Sequence, residues 1–331
     1  MRIAIDAFGS DNAPLPEVEG AVHAIKDDLC DKIILVGKEE VLKKSLEKFF
    51  YDKNRIEIVH ADEIISMDDS PSSIVKKKKN SSLVKTIQLH KDGFVDGIVS
   101  AGNTGAVMAA SLFIYGRIKN VLRPAIALTF PTIHKPEIVL DIGANVDCSP
   151  EHLVQFAKLG SLYSRFFFQN KNPEVALLNI GEESVKGNEL VKKTYQKLSE
   201  YEDINFIGNI EGKDLLKGIV DVVVCDGFVG NVMLKTVEGV AIAIFGMMKE
   251  QMKIDWIAKI GALLSFPVYQ YLKKKLDHTE YGGALLVGLN GISVISHGRA
   301  NAIAIKNAVK FAVKIAKSGF IEHAQEYYER L

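Results

Sequence analysis

The sequence predicts an α/β protein built on a mixed, mainly parallel sheet with helices on both faces. Short runs rich in Ile and Val alternate with stretches of helical length along all 331 residues, which is the pattern of βαβ units. Many of these runs end in a polar turn containing glycine, as strand-to-helix junctions in such sheets do. One pair of runs, at 125–130 and 137–141, is linked only by Pro-Thr-Ile-His-Lys-Pro. That link is too short for a crossover helix and suits an antiparallel hairpin.

Taken in order, RIAID (2–6) opens as a strand, and EVEGAVHAIKDDL (17–29) has helical length before the strand KIILVG (32–37). RIEIV (55–59) and DGIVS (96–100) are strands, and the small residues that follow Ser-Ala-Gly-Asn-Thr-Gly return at helical spacing. AIALTF (125–130) and EIVLD (137–141) form the hairpin, and PEHLVQFAKLGSLYSRF (150–166) is a helix. EVALLNI (174–180), INFIG (204–208), VDVVVCD (220–226) and ISVIS (292–296) complete the strands. Residues 229–276 give two long apolar-rich helical stretches that part near Ile254-Asp255, with Pro267 interrupting the second. No repeat or low-complexity linker divides the chain. One intertwined domain over 1–331 is expected, with 229–276 inserted as a helical hairpin.

The apolar fraction of 47% and charged fraction of 25% describe a globular chain with ample material for a core. Net charge is zero, so no global field draws the protein to nucleic acid or an anionic membrane. Cys30, Cys148 and Cys225 are too scattered for a disulfide framework or a zinc cluster. The opening MRIAIDAFG shows no charged-then-apolar signal pattern, and no uninterrupted apolar stretch reaches the ~18–20 residues of a spanning helix. The expectation is a cytoplasmic protein.

Ligands of such sheets bind beyond the carboxyl ends of strands, which directs attention to the turns. Asp6 leads into AFGSDNAP, and Ser100 into Ala-Gly102-Asn103-Thr104-Gly105. Asp141 leads to Asn145, and Asn179 to Gly181, Lys186 and Gly187. Asp226 leads to Gly227 and Asn231, and Ser296 to His297, Gly298 and Asn301. Glycine lets the backbone approach a ligand, amides and hydroxyls donate hydrogen bonds, and helix starts favour anions. The turn at 100–105 has neither the P-loop lysine nor the G-x-G-x-x-G spacing of a dinucleotide site. Together the turns suit a small anion and a polar neutral ligand. Glu182–Glu183 lacks the separation a glycosidase pair needs, no histidine pair has metal-ligand spacing, and no triad signature accompanies Cys148 or Cys225.

These segments resemble the phosphate acyltransferases of bacterial phospholipid synthesis. The likeness runs nearly end to end: IDAFGSDNAP (5–14), MDDSPSSIVKKKKNSS (67–82), VSAGNTGAVMA (99–109), LDIGANVDCSPEHLVQFAKLG (140–160), LLNIGEESVKGNEL (177–190), NFIGNIEG (205–212), VVVCDGFVGNVMLK (222–235), EYGGALLVGLNG (280–291) and ISHGRANAIAIKNA (295–308). Phe8, Ser10 and Asn12 stand where that family more usually has Met, Gly and His, and Arg299 and Ala300 where small hydroxyl residues are common.

The resemblance implies a three-layer α/β/α fold like that of isopropylmalate dehydrogenase and phosphotransacetylase, and a homodimer. It implies transfer of a fatty acyl group from acyl carrier protein to inorganic phosphate, with no cofactor and no metal. Asn103 and Thr104 would grip phosphate, with Asn145, Asn179 and Asn231 offering amides to the acyl phosphate or oxyanion. Lys186 would lie nearest the transferring group, and His297 would move a proton or contact the oxyanion. Asp6, Asp141 and Asp226 would orient donors. Lys76, Lys77, Lys78 and Lys79 would meet the acidic acyl carrier protein. The hairpin would pack in the dimer or rest on the membrane, where a membrane enzyme takes the product. The other readings are a short-chain phosphotransacetylase, an isopropylmalate-type dehydrogenase, for which aspartate clustering and an adenosine site are missing, and a non-catalytic scaffold of lipid-synthesis enzymes.

Overall fold

The computed structural model describes residues 1–66, 69, 77–254, 256–276 and 282–330. Elements follow in the order β1 (Arg2–Asp6), α1 (Leu15–Lys26), β2 (Lys32–Gly37), α2 (Glu39–Leu46), β3 (Ile56–His60), α3 (Ser82–Lys91), β4 (Gly97–Ser100) and α4 (Thr104–Tyr115). Then come β5 (Ala125–Phe130), β6 (Glu137–Leu140), α5 (Pro150–Phe167), β7 (Glu174–Asn179), α6 (Glu189–Ser199), β8 (Asn205–Glu211) and β9 (Val222–Val224). The chain ends with α7 (Gly227–Ile254), α8 (Trp256–Leu264), α9 (Phe266–Leu276), β10 (Ala284–Val287), β11 (Ser293–Ile295), α10 (Ala302–Ser318) and α11 (Phe320–Glu329).

The strands form one 11-stranded sheet in the order β3-β2-β1-β4-β11-β10-β5-β6-β9-β7-β8. Burial on both faces explains their near-continuous apolar character. Alternate residues serve opposite faces: Ile3 and Ile5 join the core under α1, α5 and α10, whereas Ala4 joins the core under α3 and α4. The result is three layers. Side-chain caps start several helices where the sequence turns polar: Ser81 accepts from Val84 N, Asn188 from Val191 N and Asn301 from Ala304 N.

One strand escapes the sequence pattern. Ala284–Val287 is only four residues long and follows Gly282 and Gly283, both at positive φ, so neither alternation nor length marks it. It pairs antiparallel with both β11 and β5, and β5 pairs antiparallel with β6 as the short link requires. The block β6, β9, β7 and β8 is parallel within itself. Three antiparallel steps therefore separate it from the parallel block β3, β2, β1, β4 and β11, and it points the opposite way. β8 also runs on to Glu211, past Gly208 and a register shift opposite Val175/Ala176.

α7 leaves the sheet as the first arm of the helical hairpin. Phe245 meets Tyr269 of α9 edge-on at 5.3 Å between ring centroids, and Pro267 falls in the first turn of α9, where proline is tolerated. The apolar runs are interrupted by charge, as expected, yet one helix is long and apolar enough on average to cross a bilayer, by length and composition. Gly227–Lys253 contains an 18-residue window of mean hydropathy 1.6, of which 6% is buried. A few charged side chains break the run in sequence without lowering the average over the helix. Its first turns are held to the sheet, with Leu234 and Val237 packed against the core.

Candidate active site

The reversal within the sheet divides the six polar turns between two edges. Those after β1, β4 and β11 lie at one edge, and those after β6, β7 and β9 at the other.

At the first edge, Asp6 ties three elements together. Its Oδ2 accepts from Ser100 Oγ at 2.8 Å, and Ser100 Oγ accepts from Gly102 N at 3.1 Å. Burial pushes the Asp6 pKa up, opposed by hydrogen bonds from Ser82, Ser100 and Phe8. A side chain at Gly9 would come within 2.8 Å of Gly102 N, so only glycine lets the β1 and β4 turns touch. Asp11 N donates to Gly298 O at 2.8 Å, which fastens the β11 turn to them. Beneath, fully buried Glu17 accepts from Ser10 N at 3.3 Å, and desolvation raises its pKa to about 7. Asn103 caps α4 by accepting from Ala106 N at 3.0 Å. The helix start, with Thr104 and Gly105, presents backbone donors and partial positive charge there. Gly298 and Asn301 bring α10 to the same edge, and His297 Nδ1 accepts from Arg299 N at 3.1 Å. That bond places the proton of the neutral imidazole on Nε2, the donor form.

At the second edge the hub is Asp141, which is fully buried. Oδ1 accepts from Ile126 N (3.1 Å), Gly143 N (3.2 Å) and Ala144 N (3.0 Å), and Oδ2 from Asn145 N (2.6 Å) and Nδ2 (2.9 Å). Burial raises its pKa against the pull of these donors. Asn145 Nδ2 also donates to Pro124 O at 2.8 Å, so both amide hydrogens work inside the loop. Gly227 N donates to Asn145 O at 2.8 Å, and Asp226 Oδ1 accepts from Val229 N at 2.9 Å. At Gly230 a Cβ would sit 1.9 Å from Asp141 O. The first turn of α7 therefore rests directly on the β6 turn and sets Asn231 beside Gly143.

The β7 turn is a neighbouring unit at that edge. Asn179 Nδ2 donates to Lys186 O at 3.1 Å and Asn179 Oδ1 accepts from Ile180 N at 2.8 Å, so this side chain shapes the loop. Gly187 at φ +95° lies against the Asn179 amide, and Gly181 against Lys186 and Glu183. Lys186 is exposed.

A cavity of about 240 Å³ joins the two edges across one face of the sheet. Its floor is Ile126, Leu128, Ile142, Ala284 and Ile295. Thr104, Ser296 and His297 close one end, Gly143 and Asn231 the other, and Leu234, Lys235 and Glu238 form the α7 wall. Of the residues singled out from sequence, Thr104, Asn231 and His297 meet here; Lys186, Asn179 and Gly181 stay on their own loop. Sequence reasoning missed Lys235 and Glu238, which pair at 2.8 Å. The signal was present, since positions 231, 234, 235 and 238 share one helix face.

Other groups are accounted for structurally. Burial pushes the Cys148 thiol up to about 11 and the Cys225 thiol well above its ordinary value, which keeps both protonated and poorly nucleophilic. Half-buried His90 donates from Nδ1 to Val95 O at 2.8 Å and accepts from Ile292 N at 2.9 Å. Lys78 turns inward to Asp69 at 2.5 Å and Ile64 O at 2.9 Å. Lys77 and Lys79 are exposed, and Lys76 lies outside the described residues. Among the described residues, no three His, Cys, Asp or Glu side chains gather as a metal site.

The layered sheet is similar in fold to phosphotransacetylases. The enzyme from Streptococcus pyogenes aligns over 96% of this chain and 94% of its own, with a TM-score of 0.62 and 16% identity, a likeness of fold. Sequence is more specific. The profile of a family described as "Fatty acid synthesis protein" matches residues 1–323. The phosphate acyltransferase of Dictyoglomus thermophilum is 53% identical over 319 residues, covering 96% of this chain and 94% of the relative. That of Fusobacterium nucleatum is 48% identical over 330 residues, covering 99% of each. The chain belongs to the phosphate acyltransferase family. It is an acyltransferase, and the family implies an acyl donor and phosphate as its substrates.

Proposed function

We propose that the protein transfers a long-chain fatty acyl group from acyl carrier protein to inorganic phosphate, giving acyl phosphate for phospholipid synthesis. The observation that carries this reading is the cavity itself, in which hydrogen-bonding groups at both ends flank an apolar floor. Phosphate sits at the start of α4, near Thr104, where helix donors and partial charge favour a dianion. Its oxygen attacks the thioester carbonyl, a C–O bond forms, and collapse of the tetrahedral species breaks the C–S bond and releases thiolate. Phosphate needs no strong base to be nucleophilic. The protein's contribution is position, worth up to ~7–11 kcal/mol in well-oriented cases, and oxyanion donors at ~2.7–4 kcal/mol each. His297 Nε2–H and the Asn231 amide are the candidate donors. The leaving thiolate, of parent pKa ~8.5, departs readily.

In the same reading the protein works in the cytoplasm as a homodimer, at the membrane surface. The apolar exposure of Trp256, Ile257, Leu263 and Leu264 on α8 supports contact with either a second copy or lipid. Exposed Lys77 and Lys79 support an approach by acidic acyl carrier protein.

The test incubates pure protein with palmitoyl-acyl carrier protein, with and without phosphate, following thiol release and trapping acyl phosphate with hydroxylamine. Both signals should require phosphate. Equal release in phosphate-free buffer would make the protein a thioesterase, and turnover of acetyl-CoA in preference to the long-chain donor would make it a short-chain phosphotransacetylase.

A further inference from the structure

The cavity is too small for a long acyl chain. Its volume of about 240 Å³ falls below the ~300–1,000 Å³ of pockets that enclose drug-sized ligands. With phosphate and the thioester at its polar ends, only a short piece of chain fits over the floor. The rest must leave, and a continuous apolar surface departs from the cavity wall.

Leu234, in that wall, begins a stripe with Val237, Ala241 and Phe245 along α7, at three- and four-residue spacing. These positions are part-buried, whereas Val240, Ile242 and Ile244 between them are exposed. Leu234 and Val237 pack on the sheet core, and Phe245 meets Tyr269 of α9, so the stripe runs from the sheet face into the hairpin. From Leu234 to Phe245 it extends about 16 Å, close to one leaflet of the ~30 Å hydrocarbon core of a bilayer. It is therefore the length of a lipid tail.

We propose that Leu234, Val237, Ala241 and Phe245 form a track along which the acyl chain leaves the cavity, so that α7 sets the chain-length preference. This rests on the acyl-transfer reading above. In physical terms, each methylene on the track leaves water and raises affinity roughly fourfold. Donors long enough to reach past Ala241 gain affinity that shorter ones lack.

The test compares kcat/KM for octanoyl- and palmitoyl-acyl carrier protein, with phosphate and without lipid, by hydroxylamine trapping. Ala241→Glu should lower the palmitoyl-to-octanoyl ratio at least tenfold. Ile242→Glu, on the outward face at 73% exposure, should leave the ratio within twofold. If the charge unfolds the hairpin, as circular dichroism would report, Ala241→Trp applies the same block by bulk alone. An unchanged ratio in a folded Ala241 variant overturns the track, as does an equal loss in Ile242→Glu. Wild-type protein that makes no acyl phosphate from either donor removes the acyl-transfer reading, and the track goes with it.

Discussion

Replacing Asp141 by Asn tests whether one buried carboxylate builds half of the site. The substitution preserves shape but exchanges an acceptor oxygen for an NH₂ group. The oxygen nearest Asn145 takes two donors, Asn145 N at 2.6 Å and Nδ2 at 2.9 Å. The other takes Ile126 N, Gly143 N and Ala144 N. Whichever way the new amide turns, at least two donors face a donor in a site with no access to solvent. Each orphaned buried donor costs ~1–3 kcal/mol, so roughly 2–6 kcal/mol is at stake, of the ~5–15 kcal/mol that holds a domain together. Gly230 rests on Asp141 O and Gly227 N on Asn145 O, so a loosened loop also displaces Asn231. Urea unfolding followed by far-ultraviolet circular dichroism should give a loss of at least 2 kcal/mol. Phosphate-dependent turnover should fall at least tenfold below the unfolding range. A variant within 0.5 kcal/mol of wild type, with wild-type turnover, would refute the hub.

Glu17 should make stability fall as pH rises. Its pKa is about 7 when folded against 4.5 ordinarily, so between those values unfolding releases a proton that the native state keeps. The contribution amounts to about 3 kcal/mol above pH 7; Glu17→Gln should flatten this slope in denaturation at pH 5, 6, 7 and 8, and an unaltered slope would assign it to other groups. Gly230→Ala should destabilise by several kcal/mol, because its Cβ would overlap Asp141 O, while Gly239→Ala, with nothing within 4 Å, should stabilise the exposed helix by ~0.5–1 kcal/mol. The order of the two melting temperatures decides this prediction. His297→Ala should slow turnover at least tenfold with the fold intact. Wild-type rates would exclude the imidazole from the reaction.

Much of the architecture lies in local pattern. Runs such as KIILVG and VDVVVCD are buried on both faces, so their composition alone marks them as strands. Asn103, Asn188 and Asn301 cap helices because a short amide matches the orphan N–H groups of a first turn. The family was readable because its motifs span nearly the whole chain. ALLV carried no such mark, being short and bounded by glycines.

Sequence by itself determined the strands other than β10, the polar turns after them and the family, since each depends on neighbours within a few residues or on motifs read in order. Tertiary structure alone decided which turns meet. β10 inserts antiparallel between β11 and β5, so β5 runs with β11, and the antiparallel β5–β6 step then reverses β6, β9, β7 and β8, sending the Asp141, Asn179 and Asp226 turns to the edge opposite Asp6, Ser100 and Ser296. The site then forms where α7 crosses the sheet face and brings Asn231 into one cavity with Thr104 and His297. The β5–β6 step is legible in its short link, but strand direction across the sheet depends on the parity of all three steps, and the β10–β5 pairing joins residues far apart in the chain that no local pattern encodes.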